Sequence, residues 1–261
     1  MLQKEALEVI TASLINDSLV QAVFVKGSIG RGEEDEHSDI DLYCLVREGD
    51  EAEFLKNRLT HLRKYRTLLF YEDLYIIAPQ IIAVYDNLLH VDLFTVTERI
   101  YQEKDYLKVL YDPNGLMDKF RESQNLLLSY EEFDSHVYDV AWYLFQYRKA
   151  SKRGNNIWAA EMLHYVTSNL AKVLLHRYYP ERAQLGIKAL GSLLPQNKQT
   201  IVNEIFNNIT LISHEIAVLH MISLLQEEIK WIELRLKEES KAGQFLGLMI
   251  SILEEELNYK K

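Results

Sequence analysis

The chain has 261 residues, 39 acidic and 29 basic, for a formal net charge of −10. That length holds one or two domains with ample material for a core. A net acidic surface repels polyanions, which argues against nucleic acid as a partner and draws cationic small molecules instead.

In chain order, an amphipathic helix is expected over 2–16, a reading that argues against a secretory leader at the N-terminus. Leu19 to Lys26 is apolar and β-branched and reads as a buried strand. Gly27 then allows close backbone approach to a ligand. Ser28 offers a hydroxyl and an N–H at the start of a helical turn, where anions are favoured. Gly30 and Gly32 keep the loop small, and Arg31 between them can pair with phosphate or with the acidic run that follows. A second strand is expected near 39–47. Side chains two apart share a strand face, so Asp39 and Asp41 point together at about 6 to 7 Å of strand rise, a spacing suited to Mg²⁺. Cys44, the only cysteine, lies on the face of Leu42; no internal disulfide is possible, which fits a reducing cytoplasm.

A helix over 50–64 and strands near 74–78, 80–86, 88–96 and 107–111 follow. Asp92 interrupts an otherwise apolar strand, where a carboxylate is costly unless paired or metal-bound. His90 shares its face. Asp112-Pro113-Asn114-Gly115 breaks the chain before a helix expected to reach Gln124. From about Tyr130 the pattern is helical: Tyr138, Trp142 and Phe145 recur at helical spacing, Pro180 and Pro195 close helices, and 222–236 and 246–257 supply two more. The longest apolar stretch, near 245–253, is too short to span a bilayer, so a soluble, cytoplasmic protein is expected.

These residues resemble the nucleotidyltransferases of the DNA polymerase β type, whose signature is Gly-Ser, about ten residues, Asp-x-Asp or Asp-x-Glu, and a later carboxylate on an adjacent strand. Gly27-Ser28, Asp39-x-Asp41 and Asp92 match it in order. Within that group the chain is most similar to two-domain lincosamide nucleotidyltransferases, over 27–41, Tyr85-Asp86-Asn87-Leu88, Leu110-Tyr111-Asp112 and Lys152-Arg153-Gly154. In some of those enzymes the positions of Asp41 and Asp92 hold Glu, which shifts reach into the site without changing the metal chemistry. The stretch from Leu185 to Pro195 resembles part of the helical domain of aminoglycoside adenylyltransferases, which implies that Lys188 reaches the triphosphate.

The resemblance implies an α+β fold: a polymerase β-like catalytic domain over 1–126, its mixed sheet flanked by helices, and an all-helical substrate-binding bundle over 127–261. It implies a nucleotidyltransferase in which Asp39, Asp41 and Asp92 are catalytic and hold Mg²⁺, two ions being expected. Gly27, Ser28, Arg31 and Lys188 would hold the nucleoside triphosphate, ATP by default. The acceptor would be a small hydroxylated, cationic molecule such as a lincosamide or aminoglycoside antibiotic. Neither nucleic acid nor membrane is an expected partner, and a homodimer is possible because dimers are common among relatives. Acids and aromatics over 130–179 (Glu131, Glu132, Tyr138, Asp139, Trp142, Tyr147, Trp158, Glu161) suit an amine-bearing ligand, though aromatics at helical spacing also make cores. Two other readings stay open: a transferase that adds AMP to a protein, and a nucleotide-binding module without catalysis.

Overall fold

The computed structural model describes residues 2–101, 104–121 and 124–258. The architecture is α+β, and the chain divides into two compact units, Met1–Asn125 and Leu126–Lys261.

The first unit runs α1 (Leu2–Leu14), β1 (Val20–Val25), α2 (Gly27–Arg31), β2 (Ile40–Val46), α3 (Glu51–Leu62), β3 (Leu68–Tyr75), β4 (Pro79–Tyr85), β5 (His90–Val96) and β6 (Lys108–Tyr111). The strands form one sheet in the order β3-β4-β5-β2-β1-β6. Only β2 and β5 pair in parallel; every other neighbouring pair is antiparallel. Strand periodicity sorts the side chains onto two faces. Val23, Val25, Leu42, Cys44, Ile81, Ala83, Val91 and Leu93 turn to one, where Ala6, Ile10 and Leu14 of α1 and Phe54 and Leu62 of α3 cover them. The 4-residue spacing of the α1 trio is the helical stripe such packing needs. Phe24, Tyr43, Phe94 and Val96 turn to the opposite face, under Tyr101, Met117 and Phe120. There Tyr43 stacks on Phe94 at 4.4 Å between ring centroids and on Phe24 at 5.1 Å.

Two expected elements are corrected. The strand expected near 74–78 is β3, which begins at Leu68; Ile76 and Ile77 lie in the bend before β4 and are exposed. Their apolar character imitates a strand, whereas β3 has no clean alternation because it lies at the sheet edge. The helix expected up to Gln124 is a 3₁₀ turn, Asp118–Phe120, and residues 122 and 123 fall outside the described set.

The second unit is helical: α4 (Tyr130–Lys152), α5 (Asn156–Tyr178), α6 (Ile187–Leu193), α7 (Gln196–Asn208), α8 (His214–Glu233) and α9 (Ala242–Asn258). Ser129 and Glu132 close a capping box that starts α4, and Asn155 caps α5 through the Trp158 N–H. Val137, Leu144, Leu163, Val166, Met221, Leu225 and Leu253 meet in its core. Glu228 is buried among them and satisfied by Arg177 at 2.5 Å, Tyr178 Oη at 2.7 Å and Lys198 at 2.8 Å. Among the described residues, no helix is long and apolar enough to cross a membrane.

Candidate active site

β1 ends one residue before the Gly27 turn, and the strand register fixes what surrounds it. Asp41 on β2 lies directly beside Asp92 on β5, as Leu42 does beside Leu93. The Lys26 N–H donates to the Asp41 carbonyl at 3.0 Å. By parity Lys26, Asp39, Asp41 and Asp92 all belong to the face of Phe24, Tyr43 and Phe94. The aromatic stack is therefore the floor on which the acids stand.

Gly27 has φ +61°, and a Cβ there would lie 2.0 Å from Asp41 Oδ2. Glycine is required twice over, by the backbone conformation and by the carboxylate lying against it. A Cβ on Gly30 would meet the Tyr106 carbonyl oxygen at 2.5 Å, so this turn of α2 packs directly on the segment before β6. Ser28 is half-buried in the first turn of α2. Arg31 is committed to Glu33 at 2.8 Å and Asp105 at 2.7 Å.

Asp39 is exposed at the end of the acidic loop, and Asp92 is buried. His90 lies between them, with Nε2 3.1 Å from Asp92 Oδ1 and Nδ1 3.9 Å from Asp39 Oδ2. The hydrogen bond to Asp92 raises the His90 pKa against the opposing effect of burial. Among the described residues, no group of three or more His, Cys, Asp or Glu side chains is gathered as a metal site. The donor set nevertheless fits Mg²⁺ in kind: three carboxylates on one face, with the glycine beside Asp41 leaving backbone and side chain in contact.

Three residues that sequence reasoning passed over also build the site. Gln3 of α1 is buried and donates from Nε2 to the carbonyls of Asp35 (3.1 Å), Glu36 (3.2 Å) and Ser38 (2.9 Å), which pins the acidic loop. Lys26 is buried with its ammonium 5.4 Å from the Tyr43 ring centroid and 5.2 Å from that of Tyr101. Burial lowers its pKa to about 8, while Asp105 and Asp41 act to hold it up. Asp105, with φ +73°, holds Arg31. No sequence signal marks Gln3 or Asp105; a lysine ending a buried strand was the visible sign of Lys26.

Residues 9–109 match the family described as "Nucleotidyltransferase domain", a span that contains α2, the acidic loop and both acid-bearing strands. This unit is a nucleotidyltransferase domain. The reaction class of the enzyme is accordingly nucleotidyl transfer. No curated protein matches the chain. Solved structures similar to it include a nucleotidyltransferase-like protein from Exiguobacterium sibiricum, at 13% identity and TM-score 0.41, over 94% of this chain and 78% of that one. Another is an aminoglycoside 6-adenyltransferase from Bacillus subtilis, at 12% identity and TM-score 0.40, over 96% and 98%.

A cavity of about 500 Å³ between α1 and β6, lined by Leu7, Thr11, Ile15, Ile29 and Leu110, lies on the other face of the nucleotidyltransferase domain's sheet. Lys188 is exposed on α6, which belongs to the helical unit, whereas Asp39, Asp41 and Asp92 belong to the first unit. In that unit Tyr138 and Trp142 are exposed and stacked, Tyr147 is core with its Oη 3.0 Å from His214 Nδ1, and Glu132 serves the cap of α4.

Proposed function

We propose that the protein transfers a nucleoside monophosphate from a nucleoside triphosphate, ATP by default, to a hydroxyl of a small molecule, and releases pyrophosphate. The observation that carries this reading is the lateral pairing of Asp41 with Asp92, beside a glycine whose Cβ would strike Asp41. Asp39, Asp41 and Asp92 would hold Mg²⁺, which when bound neutralises charge on the phosphate oxygens. Gly27 lets the backbone approach the triphosphate, and Ser28 hydrogen-bonds its β and γ phosphates. Lys188 of the helical substrate-binding unit supplies a further cation to the triphosphate.

The acceptor oxygen attacks the α-phosphorus in line, a new P–O bond forms, and the bond to the β-phosphate oxygen breaks. The hydroxyl proton passes to the Asp92 oxygen that His90 does not engage, since Oδ1 faces Nε2 at 3.1 Å. His90 thereby orients Asp92. A lincosamide or aminoglycoside antibiotic is the proposed acceptor class, its modification a resistance function in the cytoplasm, with a homodimer as the working form.

The test is a matrix of ATP, GTP, CTP and UTP against hydroxylated antibiotics and metabolites, read as pyrophosphate with and without Mg²⁺. Release that needs metal and acceptor and vanishes in Asp41→Asn supports the proposal. No release from any pair rejects it.

A further inference from the structure

The sheet register continues the acidic rows outward, past the carboxylates, to the β3 edge. Ile82 pairs with Asp92 and Glu72 with Ile82, so one row reads Glu72, Ile82, Asp92, Asp41. Val84 pairs with His90 and Phe70 with Val84, which gives a second row, Phe70, Val84, His90. All these side chains share the face of the catalytic acids.

On that face the covering cluster stops short of β3 and β4. Ile82 and Val84 are half-buried, Phe70 is 51% exposed, and Glu72 is exposed. Among the described residues, no hydrogen bond or ion pair to another side chain engages the Glu72 carboxylate. The alternate β3 residues Tyr71 and Asp73 behave differently: they lie on the helix-covered face, where Arg63 stacks on Tyr71 and Arg58 bonds Asp73. An open hydrocarbon strip ending in a free carboxylate thus begins at Asp92. Neighbouring strands are about 4.8 Å apart, which puts Glu72 about 10 Å from Asp92.

We propose that these rows are the part of the acceptor site carried by the catalytic unit, with Ile82, Val84 and Phe70 as an apolar platform and Glu72 as the anchor for a cation. The inference rests on the transfer reading above. The ligand it selects has a hydroxyl at one end, a hydrocarbon flank, and an ammonium about 10 Å from that hydroxyl. A nucleotide is not such a ligand, because its charge is repelled by Glu72 and its phosphates belong beside Gly27 and Ser28. Continuity with the acids, rather than exposure alone, assigns the strip to the acceptor.

The probes are 6-aminohexyl glucoside and its N-acetyl derivative, titrated calorimetrically with Mg²⁺ and a non-hydrolysable ATP analogue. Wild type should bind the amine about five-fold more tightly than the amide, the size expected of one partly exposed ion pair. Glu72→Gln should erase that preference, Glu72→Asp should retain most of it, and Phe70→Ser should weaken both probes alike. Equal preference in wild type and Glu72→Gln overturns the proposal, as does the absence of saturable binding to wild type.

Pyrophosphate release from ATP is followed in parallel with the acceptor matrix. A preference that depends on Glu72 without any release by wild type sinks the transfer reading and leaves the cation site standing. Release without dependence on Glu72 sinks the cation site alone. Sedimentation of the same variants addresses a rival occupant: a dimer that Phe70→Ser dissociates, with probe binding intact, assigns the strip to a second copy of the chain and overturns the proposal.

Discussion

Gly27→Ala and Gly32→Ala form a matched pair that separates backbone strain from displacement of an acid. Both glycines have positive φ, +61° and +70°. An L-residue in that region costs roughly 1–2 kcal/mol, so both variants should lose similar stability, a melting shift of roughly 3–8 °C for a unit of this size. Space distinguishes them: a Cβ at Gly32 meets nothing within 4 Å, whereas one at Gly27 lies 2.0 Å from Asp41 Oδ2. Asp41 can rotate away at modest cost because the colliding atom ends a side chain, but it then leaves the row of Asp92. A misplacement of about 1 Å in a reacting constellation can cost about 100-fold. Thermal unfolding and nucleotide-dependent pyrophosphate release, measured on both variants, should therefore agree in stability and differ about 100-fold in turnover. If Gly27→Ala turns over as fast as Gly32→Ala, Asp41 is not held by that contact for any catalytic purpose.

Asp39→Asn and Asp41→Asn should each lower transfer at least about 100-fold while melting near wild type, and should weaken Mg²⁺ binding measured calorimetrically without nucleotide; undiminished turnover removes the metal role. Gln3→Ala should free the loop at Asp35 to Ser38, seen as faster amide exchange there, and should cost roughly 1–3 kcal/mol by unfolding. The buried Lys26 has a folded pKa of about 8 against an ordinary 10.5. Below pH 8 both folded and unfolded chains carry the proton and its burial is penalised. As pH rises to 10.5 the folded state binds fewer protons, so wild type should gain on the order of 3 kcal/mol relative to Lys26→Met, read as converging melting temperatures. A constant difference over that range refutes the burial of the charge. Glu228→Ala removes the buried partner of Arg177 and leaves the buried Lys198 with Glu227 alone, and should destabilise the helical unit by about 3 kcal/mol in urea unfolding.

The α+β class was legible because local signals suffice for it. Alternation marks β2, an apolar run marks β5, the 4-residue stripe marks α1, and a helical period takes over near Tyr130. β3 was misread because an edge strand lacks the one-sided burial that writes alternation into sequence, while Ile76 and Ile77 are apolar in a bend. Glu72 and Phe70 were invisible as site candidates for the same reason. Arg31 was ambiguous by sequence, and its partner Asp105, 74 residues away, is one that no local reading could supply.

From the chain alone came everything that depends on near neighbours: the glycine turn, the shared face of Asp39 and Asp41, and the odd carboxylate in an apolar strand. Those features follow from φ preferences and from the two-residue period of a strand, which act over a few residues. Only the tertiary structure decided that Asp92 stands beside Asp41, that His90 lies between Asp92 and Asp39, that Gln3 holds the loop, and that the rows run on to Glu72. Strand order and register choose those neighbours, and they come from burying two faces of one sheet at once, a condition on the whole unit that no short segment records.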